Sequence, residues 1–196
     1  RHMEEGNTVA TKQLNMIRGE VERSDMILTE LMGYARLSEG RVEKIDMKEE
    51  LQGAIEEAFP PNHAFHIQLE KDLHEGLPPL MMQRAHLREI MVNLLVNARE
   101  AAGENGMVQV SCRPSPQYAI ELRVKDSGEG IPPDQREQIF EAYFTTKKKG
   151  TGLGLAIVKQ NTELYGGEIV VESELGVGTE FILTFPTRVL LQENES

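Results

Sequence analysis

The sequence predicts an α+β fold, a two-layer α/β sandwich with several helices on one face of a mostly antiparallel sheet, preceded by a long coiled-coil or bundle helix. Three observations predict it. An apolar stripe at three-and-four spacing runs through residues 8–38. Strand-like alternation recurs over 64–70, 107–112, 119–125, 168–172 and 179–185. Helical patterns occupy 46–58, 84–102 and 152–165.

The first helix carries its stripe on Leu14, Ile17, Val21, Ser24, Leu28, Leu31 and Ala35. So narrow a stripe does not stabilise an isolated helix in water, so a partner helix is needed and self-association through 8–38 is expected. Ser38-Glu-Gly40 ends the helix and a short linker follows. Asp46-Met-Lys-Glu49 reads as a capping box opening a helix to Ala58, and Pro60-Pro61 stops it. Ala64–Glu70 alternates with Phe65, Ile67 and Leu69 on one face. Met107–Cys112 and Ala119–Lys125 read as strands joined by Ser115-Pro116-Gln117. A short helix is expected after Pro132-Pro133. Helix 152–165 stops at Gly166-Gly167. Glu168–Glu172 and Thr179–Phe185 pair as a hairpin across Leu175-Gly-Val-Gly178. Strands and helices do not alternate in a doubly wound pattern, so dinucleotide binding is not expected.

Composition narrows the function classes. The chain has 196 residues, enough for one domain and an appendage, and 39% hydrophobic residues suit a packed core. A formal net charge of −11 argues against nucleic acid as a partner, because neutralising phosphates needs clustered Lys and Arg. Cys112 has no second cysteine to pair with, which fits a reducing, cytoplasmic compartment. No apolar run is long enough to span a membrane and no signal peptide is visible. Arg1-His2-Met3 resembles a vector scar, with the natural chain expected to resume near Glu4.

Five blocks then follow in one order between Glu89 and Thr179. They are Asn93-Leu-Leu-Val-Asn97-Ala, Asp126-Ser-Gly128-Glu-Gly130, Phe140-Glu-Ala-Tyr-Phe144-Thr-Thr-Lys147, Gly150-Thr-Gly152-Leu-Gly154-Leu, and Gly178-Thr179. Asn93 and Asn97, four apart, project from one helix face. Their neutral amide oxygens can ligate a hard cation such as Mg²⁺ that also bridges to phosphates. Asp126 ends a strand, where a buried carboxylate can accept from an exocyclic amine and reject a carbonyl. Gly128 and Gly130 let the backbone pass close to a base. Gly150, Gly152 and Gly154 open a helix whose N-terminus favours anions. Thr145, Thr146 and Lys147 offer hydroxyl and ammonium donors. Glu89, one turn before Asn93, is a candidate for positioning or an ordinary surface charge. Each block is weak alone; five in order are specific.

The set resembles the ATP-binding domain of two-component sensor histidine kinases, within the wider gyrase, Hsp90 and MutL ATPase class. The ending Leu-x-x-Leu-Met-x-Tyr-Ala-Arg36 resembles the second dimerisation helix of those kinases. The resemblance implies a Bergerat-type fold, ATP and Mg²⁺ as cofactors, Asn97 as metal ligand and Asn93 as its support. It implies nucleotide contacts from Asp126, Gly128, Gly130, Ile131, Phe140, Thr145, Thr146, Lys147, Gly150, Thr151, Gly152, Leu153, Gly154, Leu155 and Thr179. Residues 140–152 become a mobile lid anchored by Phe140 and Phe144. Some related kinases grip phosphate with a cation after the second Asn; Glu100 stands three residues after Asn97, so that contact is not carried over.

The resemblance also implies partners: a homodimer, a receiver domain bearing an acceptor Asp, and an upstream sensor region in a parent protein that membranes can anchor. On this reading residues 1–45 are a partial dimerisation helix and linker, 46–187 the catalytic domain and 188–196 a tail. The expected phosphoacceptor His on a first helix is absent. His2 lies in the scar, and His74-Glu75 precedes Gly76 and Pro78-Pro79, off any long helix. His63, His66 and His86 read as surface residues. Three other readings stay open: a gyrase-, MutL- or Hsp90-like motor, a serine kinase of the anti-sigma type, and a degenerate ATP-binding scaffold. The first needs a catalytic Glu where Asn93 stands and a transducer domain. The second usually has an acidic residue at that position.

Overall fold

A computed structural model describes residues 13–14, 16–18, 21, 40–61, 66–117, 119–147 and 150–186. Of the predicted first helix, Gln13, Leu14, Met16, Ile17, Arg18 and Val21 are helical. Leu14, Met16, Ile17 and Val21 are all more than half exposed there. The rest of 8–38, and with it the predicted seam, lies outside the described residues, as do residues 188–196.

The main sheet has five strands in the order β2-β4-β5-β7-β6. They are β2 (Gln68–Leu73), β4 (Met107–Pro114), β5 (Ile120–Asp126), β6 (Glu168–Glu174) and β7 (Gly178–Phe185). β2 pairs with β4 in parallel and the other neighbours are antiparallel. The predicted strand at 64–70 shifts: it begins at Gln68 and runs on to Leu73, because its backbone follows β4 as far as Cys112. The linker predicted after Gly40 holds a strand instead. β1 (Glu43–Ile45) pairs antiparallel with β3 (Leu80–Met82) in a small second sheet. Three residues are too few for a period to show, yet Ile45, Leu80 and Met82 are buried and seal the core beneath the first helix of the domain.

Three helices cover one face of the main sheet: α1 (Met47–Ala58), α2 (Arg84–Ala102) and α3 (Gly154–Leu164). Asp46 caps α1 by accepting from the amides of Lys48 at 2.9 Å and Glu49 at 3.3 Å. Helix α3 is shorter than predicted because Gly152 takes a left-handed φ of 73° and the helix begins only at Gly154. The helix predicted after Pro132-Pro133 is a pair of single 3-10 turns, Pro133–Gln135 and Gln138–Phe140. Helix α2 packs against both α1 and α3. It buries Leu87, Ile90, Met91, Leu94, Leu95 and Ala98, which share the core with Val108, Val110, Leu122, Val124, Phe181 and Leu183 of the sheet. Cys112 is fully buried and its thiol is pushed up to about 12 by burial, so it is a packing residue rather than a reactive one. No helix among the described residues is long and apolar enough to cross a membrane.

His86 departs from expectation. It is only 6% exposed, on the side of α2 facing α3, with Nδ1 2.7 Å from the Tyr165 hydroxyl. The same hydroxyl accepts from the Gln83 amide at 3.1 Å, which supplies a partner to the α2 N-terminus in place of a side-chain cap. Burial pushes the His86 pKa below 6.5, with the Glu89 carboxylate offsetting part of the effect. The unfolded chain therefore binds a proton near pH 6.5 that the folded chain refuses. Stability contributed by His86 is present above that pH and lost as pH falls through it. Urea unfolding at pH 7.5 and 5.5 should show this loss, and the pH slope should flatten in His86→Gln.

Candidate active site

Helix α2 brings the predicted pair Asn93 and Asn97 to one face, both half-buried. The Asn93 amide nitrogen donates to the Glu89 carbonyl one turn back at 2.8 Å. That leaves its Oδ1 pointing at the start of α3. A Cβ placed on Gly154 would stand 2.8 Å from this oxygen, so a side chain there would displace the Asn93 amide. Asn97 Oδ1 accepts from the Lys147 ammonium at 2.9 Å, and Lys147 also reaches Glu100 Oε2 at 2.5 Å. Lys147, expected to face phosphate, is here bridged to α2 by the predicted metal ligand and by Glu100.

Asp126 closes β5 at 4% exposure. Burial pushes its carboxyl above the ordinary 3.8, while the Gly128 and Thr179 amides and the Lys147 charge pull it back. The Gly128 amide donates at 2.8 Å. The glycines of this turn also face protein backbone. A Cβ on Gly128 would meet the Ala101 carbonyl at 2.5 Å; one on Gly130, whose φ is 77°, would meet the Glu174 carbonyl at 2.3 Å. They seat the turn under the end of α2 and against the β6–β7 hairpin, which fixes Asp126 between them. Thr179 is buried beside it, opposite Asp126 in register.

Residues 140–147 and 150–154 border this region, where Lys147 reaches Asn97. Phe140 meets Phe181 edge-on with centroids 6.3 Å apart, and Phe144 packs partly into the core, so both predicted anchors are seated. Thr145, Thr146 and Lys147 are exposed. Thr145 Oγ1 accepts from the Lys147 amide at 3.1 Å and lies against Gly150. The Tyr143 amide donates to the Gly152 carbonyl at 2.9 Å, tying the segment to the α3 start, where Thr151 Oγ1 accepts from the Leu153 amide at 3.3 Å. Leu153 is fully buried and Leu155 and Ile131 pack against the core, so their side chains hold the site from behind.

Glu89 does not stand free at the rim. Asn161 of α3, only 7% exposed, donates its amide to Glu89 Oε2 at 2.9 Å. Asn161 was not among the predicted residues. Its signal was an amide one turn beyond Ile157 on the buried stripe of a helix, where an apolar residue is the norm. Among the described residues no group of His, Cys, Asp and Glu side chains could by itself hold a metal ion. A cation here would rely on the neutral oxygens of Asn93 and Asn97 together with oxygens of a ligand. The Asn93 and Asn97 amide oxygens are two such neutral donors one turn apart on α2.

Residues 82–189 match the family of histidine kinase-, DNA gyrase B-, and HSP90-like ATPases. The chain belongs to that family. This chain is 32% identical over 170 residues to sensor histidine kinase ZraS of Escherichia coli (strain K12), covering 87% of this chain and 36% of ZraS. The catalytic domain of histidine kinase ThkA superposes with a TM-score of 0.68 at 28% identity, covering 75% of this chain and 96% of that one. Full-length ShkA in complex with AMPPNP gives 0.76 at 28% identity, covering 89% of this chain and 38% of that one. The fold is that of a histidine kinase catalytic domain. The chain spans about a third of the length of the curated relative it matches.

The Glu89–Asn161 clamp has a direct test. Asn161→Asp should cost about 1.5–3 kcal/mol in chemical denaturation, because a charge-assisted bond becomes a carboxylate pair. Adding Glu89→Gln should restore most of the loss by reversing donor and acceptor.

Proposed function

We propose that this chain is the ATP-binding catalytic core of a sensor histidine kinase. It positions ATP so that the γ-phosphoryl group passes to a histidine on a dimerisation helix, for relay to a receiver-domain aspartate. The observation that carries this reading is convergence. Blocks far apart in sequence meet pairwise around one site, Asn97 with Lys147, Asn93 with Gly154, Asp126 with Thr179, and Tyr143 with Gly152.

Each part has a chemical role in this reading. The Asp126 carboxylate accepts from the adenine amine and disfavours guanine, whose carbonyl would face an acceptor. The α3 N-terminus, freed of side chains at Gly152 and Gly154, directs amides and the helix dipole toward phosphate. Thr145, Thr146 and Lys147 supply further donors once Lys147 leaves Asn97. Asn97, supported by Asn93, would hold Mg²⁺, which when bound neutralises charge on the phosphates. Transfer forms a bond from phosphorus to the histidine nitrogen and breaks the bond to the β–γ bridging oxygen, and ADP leaves. The domain contributes positioning and charge stabilisation rather than a covalent partner. The acceptor in this reading is supplied from outside the site; among the described residues His66 and His74 are exposed and His86 is buried against Tyr165. Homodimerisation through 8–38, a receiver-domain partner, an upstream sensor region and a cytoplasmic site of action belong to the same reading.

Calorimetry with ATP and GTP, with and without Mg²⁺, tests it. ATP should bind at least about 100-fold more tightly than GTP. Asp126→Asn should abolish that preference, and Asn97→Ala should abolish the Mg²⁺ dependence. Absence of ATP binding by the unmutated chain would reject the reading in favour of a scaffold.

A pH titration adds a second check. Adenine recognition needs the ionised carboxylate, and burial holds the Asp126 pKa above 3.8. ATP affinity should therefore fall on acidification at a higher pH than an ordinary aspartate would give, and Asp126→Asn should remove that pH dependence.

A further inference from the structure

A polar row crosses the sheet beneath the glycine turn. Val108 stands opposite Asp126, Asp126 opposite Thr179, and Thr179 opposite Ser173. Directly opposed residues on neighbouring strands share a face, so Asp126, Thr179 and Ser173 lie side by side, ending on the edge strand β6. Ser173 Oγ accepts from the Ile131 amide at 2.7 Å, donates to the Gly178 carbonyl at 3.0 Å and lies 2.9 Å from Thr179 Oγ1. Arg136 joins the same two segments a second time. Its Nη2 donates to the Ser173 carbonyl at 2.5 Å and its Nε to the Ile131 carbonyl at 3.4 Å.

We propose that Ser173, braced by Arg136, is a positioning residue that sets base selectivity without touching the base. A carboxylate alone accepts from many donors. Discrimination comes from a second polar atom held at a fixed place beside it, so that a wrong edge leaves a buried group unpaired. The Thr179 hydroxyl is that second atom. Without Ser173 Oγ its rotor has no fixed partner, and the Ile131 amide at the other end of the glycine turn loses its acceptor. One hydroxyl thus locks both flanks of Asp126. The inference rests on the reading of Asp126 as the adenine-recognising group.

The test compares the unmutated chain with Ser173→Ala, Ser173→Thr, Arg136→Gln and Ser173→Ala/Arg136→Gln. MgATP and MgADP are titrated by calorimetry, and GTP by displacement of bound ADP. Ser173→Ala should weaken ATP and ADP alike by about tenfold, the equivalent of one hydrogen bond, and shrink the ATP-to-GTP ratio. Ser173→Thr, which keeps the hydroxyl, should recover the ratio. The double variant should lose less than the sum of its parts, since both side chains hold one joint. A merely loosened fold weakens ATP and GTP equally, so an unchanged ratio in Ser173→Ala overturns the proposal. Asp126→Asn, run in parallel, separates the two readings. If it also leaves the ratio unchanged, the adenine assignment itself fails. If it collapses the ratio while Ser173→Ala does not, only the role of Ser173 fails.

Discussion

The antiparallel packing of α2 on α3 is the constraint on which the site depends. One stripe of α2 is apolar and sinks into the sheet. Beside it, residues 86, 89, 93 and 97 form a second line at helical spacing, and each meets a different partner. His86 meets Tyr165, Glu89 meets Asn161, Asn93 meets Gly154, and Asn97 meets Lys147. The order of the first three along α2 is reversed along α3 and its C-cap, so one helix contact sets His86, Glu89 and Asn93 at once, while Asn97 meets a residue that precedes α3. A slide of α3 by one turn, about 5.4 Å, would break the polar pairs and misplace the Gly-rich helix start relative to the two asparagines.

The sheet supplies the other fixed reference. The strands that carry Asp126, Thr179 and Ser173 are locked in antiparallel register, and a slip by one residue would turn all three to the opposite face. The glycine turn is then clamped between α2 and the hairpin by close backbone contacts that no side chain could share. The Asp126 row and the Asn93–Asn97 line therefore sit on separate scaffolds, the sheet and the helix pair, joined through the core.

Much of this was legible in the chain before its fold was known. The order of the five blocks pointed to the family, and the helices at 46–58 and 84–102 followed from capping, apolar period and proline stops. What was not legible shares a physical cause. β1 and β3 are three residues each and show no period. Gly128 and Gly130 declare that a side chain is forbidden but not which protein atoms exclude it, here the Ala101 and Glu174 carbonyls. Asn161 meets Glu89 at a separation of 72 residues, Ser173 meets Ile131 at 42 and Arg136 meets Ser173 at 37, distances at which sequence spacing carries no geometric information. His86 was misplaced because its partner Tyr165 lies 79 residues on.

The Lys147 bridge has a consequence for how the site meets charge. Its ammonium is already satisfied by an amide oxygen and a carboxylate. It acts as an internal counterion that holds the place of an anion. A ligand entering there exchanges one set of contacts for another rather than filling a void, so its binding free energy is a difference. A weakly charged anion offers Lys147 little more than Glu100 does, whereas a polyphosphate offers several oxygens at once. In the proposed reading, an anion that drew Lys147 away would also free Asn97 Oδ1, because one ammonium holds both contacts.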